Sequence, residues 1–170
     1  MNSIENWNDI KDLKDDLLRG IFALGFEKPS PIQMDGIIPF LTKKDIIAQA
    51  QSGTGKTGCF CISTLQLINK NEKKTQAIVL LPTRELATQV YSVFNTMSSY
   101  MNIDIKLLIG GTNLKDDLNY LEKKTPHIII GCPGRILDLI YKNYIDSSNV
   151  SLIVIDEADE MFSYGFKDQI

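Results

Sequence analysis

Ala50-Gln51-Ser52-Gly53-Thr54-Gly55-Lys56-Thr57 is the stretch on which the reading of this chain turns. It follows a short apolar run at 45–48, read as a strand, and opens a helix-length segment over 55–70. Glycines let the backbone N–H groups of such a turn approach phosphate oxygens, and the N-terminus of the next helix adds the positive end of its dipole. Lys56 can then reach the outer phosphates of a nucleoside triphosphate, and Thr57 offers a hydroxyl to Mg²⁺. Ala50 stands where the general pattern has glycine. A phosphate loop needs a strand before it and a helix after it, so the local reading commits the chain to an α/β fold.

Working outward, the same alternation recurs. Short β-branched runs at 77–81, 105–109, 127–130 and 152–155 read as buried strands, and the segments 84–100, 113–124 and 133–143 have helical length. Asn113 and Pro133 are helix-start signals. Upstream, Leu13, Leu17, Leu18, Ile21, Phe22 and Leu24 recur at helical spacing over 12–24 and stop at Gly25, and a second helix starts at Ser30-Pro31. Strands alternating with helices predict a parallel sheet flanked by helices in one layered α/β domain, with ligands held by loops at the carboxyl ends of the strands. Those loops are 49–57, 82–85, 110–113, 131–135 and 156–159.

Composition sets the outer limits. The 170 residues carry 18 Lys+Arg against 21 Asp+Glu, a net charge of -3, and 44% are hydrophobic. A domain of that length buries roughly 70% of its unfolded surface, so a core forms without disulfides or metal, and the apolar content excludes a disordered chain. No apolar run approaches the roughly 20 residues of a membrane helix. Glu5, Asp9, Asp12, Asp15 and Asp16 occupy the region where a leader would be apolar, so an intracellular, cytoplasmic protein is expected. Cys59, Cys61 and Cys132 suit neither a disulfide framework nor a four-ligand zinc site and are expected to be reduced thiols. The acidic balance excludes binding of nucleic acid by bulk charge, so any such contact must be confined to a few positions. Only Arg19, Arg84 and Arg135 are arginine, which makes those positions informative, because a planar guanidinium grips phosphate as an ammonium cannot.

A nucleotide needs a second anchor for its metal. Asp156-Glu157-Ala158-Asp159 ends the last apolar run; a strand-end aspartate can hold Mg²⁺ through water, and the adjoining glutamate can orient or deprotonate an attacking water. Together with Ala50–Thr57 quoted above and Pro82-Thr83-Arg84-Glu85-Leu86-Ala87, this sequence closely resembles the DEAD-box ATP-dependent RNA helicases over essentially the whole chain. The resemblance implies a RecA-like P-loop NTPase domain. It also places the family's Q motif at Gly25-Phe26-Glu27-Lys28-Pro29-Ser30-Pro31-Ile32-Gln33, where Gln33 can pair with the N6/N7 edge of adenine and Phe26 can stack on the base. Ser30-x-x-Gln33 reads equally as a capping box, and the two roles are compatible.

By the same resemblance Lys56, Asp156 and Glu157 are the expected catalytic residues, and Thr57 and Asp156 the expected metal contacts. ATP is expected at Phe26, Lys28, Gln33, Ser52, Gly53, Thr54, Gly55, Lys56, Thr57, Gly58 and Asp159. RNA is expected at Pro82, Thr83, Arg84, Gly110, Gly111, Cys132, Pro133, Gly134 and Arg135, with Arg84 and Arg135 forking onto phosphates. Cys132 replaces the family's usual threonine, exchanging a hydroxyl for a weakly donating thiol. Backbone-directed contacts imply single-stranded RNA or mRNA bound without sequence specificity, and these loops contain no aromatic platform for bases.

The expected organisation is a Q-motif helical region at 1–34 and a first RecA-like domain at 35–170, truncated at its C-terminus, with a second RecA-like domain in cis absent from this chain. Gln49-Ala50-Gln51-Ser52-Gly53, Gly111-Thr112-Asn113 and Gly165-Phe166-Lys167-Asp168-Gln169-Ile170 look most like the translation-initiation branch, which includes an exon-junction relative; Gly25–Gln33 and Asn113-Leu114-Lys115-Asp116-Asp117 also resemble the mRNA-repression and decapping branch, and an exon-junction or a decapping factor is the alternative. Translation-initiation or mRNP proteins are the implied partners. An ATP-gated RNA clamp and an unrelated P-loop ATPase are the rival functional readings.

Overall fold

Four runs of aliphatic, mostly β-branched residues become β1 (Ala77–Leu80), β2 (Ile105–Leu108), β3 (Ile128–Gly131) and β4 (Leu152–Ile155). They form a parallel sheet in the order β2-β3-β1-β4, with Ala77 facing Ile128 and Leu152 across the ladders and Ile105 facing Ile128. Parallel strands need long crossovers, and here α4 (Arg84–Met97), α5 (Leu114–Lys123) and α6 (Pro133–Tyr141) lie between them in the sequence. A short α7 (Ala158–Ser163) and a 3-10 turn, Phe166–Gln169, follow β4. The computed structural model describes residues 5–170; residues 1–4, the start of the 1–34 region, lie outside the described residues.

The chain divides into two compact units, the second made of Asn69–Ser92 and Ile103–Ile170. Its core is one side of the sheet: Ile78, Leu80, Leu108 and Ile129 pack with Ile136 and Leu139 of α6, Ile145 and Met161, and Leu114, Leu118 and Leu121 of α5 close over them. β1 and β3 are buried along their whole length, as continuous apolar runs in a parallel sheet should be. β4 is paired only with β1, and Ile153 is 58% exposed. Gly131 has a packing reason, since a Cβ there would lie 1.9 Å from the Leu108 carbonyl oxygen of the neighbouring strand.

The first unit, the chain through Ile68 together with Val93–Asn102, is helical. It holds α1 (Asp15–Ala23), α2 (Pro31–Leu41) and α3 (Lys56–Leu67). α3 is buried from Gly58 through Leu65, and within that stretch Ser63 donates its hydroxyl to the Cys59 carbonyl at 2.8 Å. Lys14 donates from Nζ to the carbonyls of Leu65 and Ile68 at 3.2 and 2.7 Å, satisfying acceptors at the end of α3. Gly20 lets α1 approach the end of α4 closely, because a Cβ there would fall 1.8 Å from the Met97 carbonyl oxygen. Arg19 lies 4.9 Å over the ring of Tyr100, and Trp7 donates from its indole nitrogen to the carbonyl of Phe26 at 2.7 Å.

Two expectations are corrected. The run at 45–48 is not a strand: 42–49 are exposed without regular structure, and Ile47 is 101% exposed. The first unit has no strand among its described residues, so this segment's backbone groups have no ladder within it, and apolar composition alone does not make a strand. The helix expected over 12–24 starts only at Asp15, since Asp12 adopts φ 62° and breaks the helical run ahead of it. Among the described residues no helix is long and apolar enough to cross a membrane.

Candidate nucleotide loop and nucleic-acid groove

In the first unit the residues expected around a nucleotide gather at the N-terminus of α3. Gly53 and Gly55 take φ 79° and 101°, the left-handed region open to glycine, and Gly55 is the N-cap of α3. Lys56 folds back so that Nζ donates to the Ala50 carbonyl at 2.8 Å, and Thr54 donates its hydroxyl to the Gln51 carbonyl at 2.7 Å. Ser52 and Thr54 are exposed, while Lys56 and Thr57 are half-buried in the first turn of α3.

Gln33 is only 4% exposed and both ends of its amide are engaged. Its Oε1 accepts the backbone N–H of Ser30 at 2.8 Å, and its Nε2 donates to the Gly55 carbonyl at 3.1 Å. Its capping role is therefore realised, and the same side chain ties the Q-motif segment to the phosphate loop. Gly55 and Gly58 are required by close approach: a Cβ on Gly55 would sit 2.7 Å from Ser30 Oγ, and one on Gly58 would sit 2.6 Å from Gln33 Nε2 and 2.9 Å from the Phe26 ring. Ser30 Oγ is buried without a hydrogen-bond partner. Lys28 is exposed on the loop between α1 and α2.

A triphosphate fits this donor set. The turn offers close backbone approach at two glycines, an ammonium that leaves only a carbonyl when it moves, and a helix N-terminus. Thr57, in the first turn of α3, offers a hydroxyl oxygen, the kind of donor a hard cation takes beside water and phosphate.

The other expected residues stand in the second unit. Asp156 and Glu157 follow β4; Asp156 Oδ1 accepts the Glu157 N–H at 3.0 Å. Glu157, the N-cap of α7, takes φ 48°, a left-handed conformation that a non-glycine residue adopts at a cost of about 1–3 kcal/mol and that clusters at functional sites. Asp159 lies in the first turn of α7 and is exposed.

Three loops at the carboxyl ends of β1, β2 and β3 open onto one groove of about 780 Å³. Pro82, Thr83 and Arg84 line it with Gly110, Cys132, Gly134 and Arg135. Arg84 is exposed and lies against the Gly110-Gly111 turn, where a Cβ on Gly111 would meet its Nη1 at 2.3 Å. Gly111 itself requires φ 80°. Pro133 begins α6, and Cys132, its N-cap, makes no side-chain cap bond. Burial pushes the Cys132 thiol up from its ordinary range, Arg84 pulling it down and Glu85 pushing it up, so it stays protonated at neutral pH.

Arg135 has partners within the protein: its Nη1 donates to Asp117 at 2.6 Å and its Nη2 to the Thr112 carbonyl at 3.3 Å, so the guanidinium ties α6 to α5 and to the loop before it. Asp117 also takes Lys106 at 2.9 Å, satisfying a nearly buried carboxylate with two cations. Sequence reasoning missed Asp117, because an aspartate in the first turn of a helix is explained by the dipole alone. It also missed Tyr164 and Phe166, which line the groove from beyond the three loops. The signal was Gly165 between them, with φ 79°, which marks a turn where the sequence reading had placed none.

Comparison with known proteins agrees with these motifs. A family model described as DEAD/DEAH box helicase matches residues 30–170. Eukaryotic initiation factor 4A of Caenorhabditis elegans is 50% identical over 167 residues, covering 98% of this chain and 41% of that protein. The crystal structure of a DEAD box protein from Methanococcus jannaschii superposes with a TM-score of 0.91 at 38% identity, over 99% of this chain and 46% of the other. Dbp5 of Saccharomyces cerevisiae bound to RNA and ADP BeF3 gives a TM-score of 0.86 at 34% identity, over 96% of this chain and 41% of the other. The chain thus spans less than half the length of each of these relatives.

Proposed function

The chain belongs to the DEAD/DEAH box helicase family, and from that premise we propose that it is the ATP-binding part of an RNA-dependent ATPase that opens short RNA duplexes, acting in translation initiation. The observation that carries the RNA half of this reading is the groove: residues from three separate loops line one open channel at the carboxyl ends of the strands. Its donors are a guanidinium, glycine turns and a helix N-terminus, which address phosphates and sugars and leave the sequence unread. Single-stranded RNA or mRNA is the ligand that fits.

ATP is held by Phe26, Gln33, the glycines of the loop and Lys56. Mg²⁺ would neutralise phosphate charge when bound; Thr57 carries the hydroxyl and Asp156, at the end of β4, a carboxylate of the kind such an ion takes. Glu157 holds the attacking water and accepts its proton. Lys56 leaves the Ala50 carbonyl for the outer phosphates, a move between two strong acceptors. Turnover requires a second RecA-like domain in cis that supplies transition-state arginines, worth about 10³–10⁵ in rate in related phosphoryl-transfer enzymes. Initiation-factor or mRNP proteins in the cytoplasm are the partners this branch implies, supported by the 50% identity to initiation factor 4A.

The test is nucleotide-dependent RNA binding and RNA-stimulated ATP hydrolysis, measured on this chain and on the protein carrying the second domain. Lys56→Ala should abolish ATP binding, and turnover should appear only with the second domain. ATP hydrolysis indifferent to RNA would refute the reading in favour of an unrelated P-loop ATPase. Full cellular function of a Glu157→Gln variant would point to an ATP-gated clamp.

A further inference from the structure

The groove has a wall that the backbone-directed reading does not use. Tyr164 and Phe166 both line it, contributed by the turn after α7 and not by any of the three loops that supply the phosphate-type donors. Gly165 between them takes φ 79°, and a Cβ there would meet nothing within 4 Å, so the glycine is needed for the direction of the chain alone. The turn brings residues on either side of it to the same groove.

The two rings are not equivalent. Phe166 packs against the core cluster formed by α6, Ile145 and Met161, which fixes its position. Tyr164 sits 6.5 Å from it, centroid to centroid, with the ring planes 56° apart, and remains 61% exposed. A core-anchored ring thus lies beside a second ring that borders the groove and stays largely open to solvent. Tyrosine joins an apolar ring face to a polar hydroxyl, which suits a side chain that meets both a ligand and water.

We propose that Tyr164 is a stacking platform for a nucleobase of the RNA in this groove, so that binding combines phosphate contacts at the loops with one base contact at the aromatic wall. This rests on the proposed RNA groove and extends it. Every base has a π-face, so the contact adds affinity without reading sequence. It also differs physically from the arginine contacts: it neutralises no phosphate and releases no counterion, so its contribution does not change with salt.

The experiment titrates this chain, at low ionic strength and up to millimolar protein, into a short single-stranded RNA carrying 2-aminopurine, and into the same RNA with an abasic site. Tyr164→Ala should weaken binding by roughly 5- to 150-fold, the range for one stacked base. Tyr164→Phe should stay within about twofold of the unmodified chain, because the ring is kept. The slope of log affinity against log salt should be unchanged in Tyr164→Ala, whereas Arg84→Ala should lower it by about 0.7. The abasic RNA should bind the unmodified chain more weakly and be nearly indifferent to Tyr164→Ala. Binding of Tyr164→Ala equal to the unmodified chain, with Arg84→Ala weakened, would overturn the stacking platform and leave the RNA groove standing. Equal weakening on abasic and intact RNA would overturn it too, because the contact would not be to a base. Absence of RNA binding by the unmodified chain would overturn both.

Discussion

Replacing Asp117 with alanine tests the structure where sequence reasoning was silent. The carboxylate is nearly buried, its side chain 7% exposed, and it holds Arg135 at 2.6 Å and Lys106 at 2.9 Å, whose side chains are 13% and 20% exposed. At an effective dielectric of 20 each contact is worth about 4 kcal/mol of gross Coulomb attraction at 4 Å, and desolvation of the charges cancels most of it. Breaking the cluster is different from never having made it, because both cations stay behind in a site that water reaches poorly. Removing one partner of a buried pair costs about 3–5 kcal/mol; since Arg135 and Lys106 keep some access to water, the low end, about 3 kcal/mol, is expected for Asp117→Ala. At roughly 2–4 °C per kcal/mol for a chain of this size, the unfolding midpoint should fall by roughly 6–12 °C. Urea unfolding followed by circular dichroism measures the loss, and a cycle with Arg135→Met should show a coupling of about 1–3 kcal/mol. RNA binding supplies a second, sign-opposed readout. Deleting a negative charge beside the groove strengthens binding if bulk charge governs, but weakens it if Arg135 must brace the Thr112 carbonyl and the Gly110-Gly111 turn. A stability loss below about 1 kcal/mol, additive single variants, or tighter RNA binding would refute the reasoning.

Gly20→Ala places a Cβ 1.8 Å from a backbone oxygen that cannot rotate away, so it should destabilise by about 1–3 kcal/mol or more in thermal unfolding, against a few tenths for a typical exposed substitution. Gln33→Ala removes the partners of the Ser30 N–H and the Gly55 carbonyl, so ATP affinity should fall together with protection of the loop amides from hydrogen exchange; unchanged affinity and unchanged preference over GTP would leave Gln33 a structural cap alone. Burial raises the Cys59 thiol from 9.0 to about 11, so the unfolded chain releases this proton first and stability should decline as pH rises from about 9 to 11, by roughly 3 kcal/mol. Cys59→Ala should flatten that limb of the stability–pH curve relative to the unmodified chain, and an unaltered limb would show that the thiol is not the group responsible.

The sequence by itself determined the fold class and most of the elements that carry the candidate residues, because those depend on local chemistry. β-branched runs of strand length, glycines at the phosphate turn, Asn113 and Pro133 at helix starts, and the acidic run after the last strand carry their physical reason within a few residues. α3, α5, α6 and β1 through β4 fall within a few residues of where periodicity and punctuation put them. What only the tertiary structure decided are the relations between distant residues. Whether 45–48 is a strand depends on a neighbour to pair with, and Ile47 has none within its unit. Whether Arg135 faces a phosphate or a carboxylate depends on Asp117, 18 residues away along the chain and 2.6 Å away in space. Whether the groove has an aromatic wall depends on a turn that brings Tyr164 and Phe166 to loops at least 29 positions earlier in the chain. Hydrogen bonds, ion pairs and ring contacts are made at distances of a few ångströms, and a sequence records separation along the chain, so these partnerships exist only once the chain has folded.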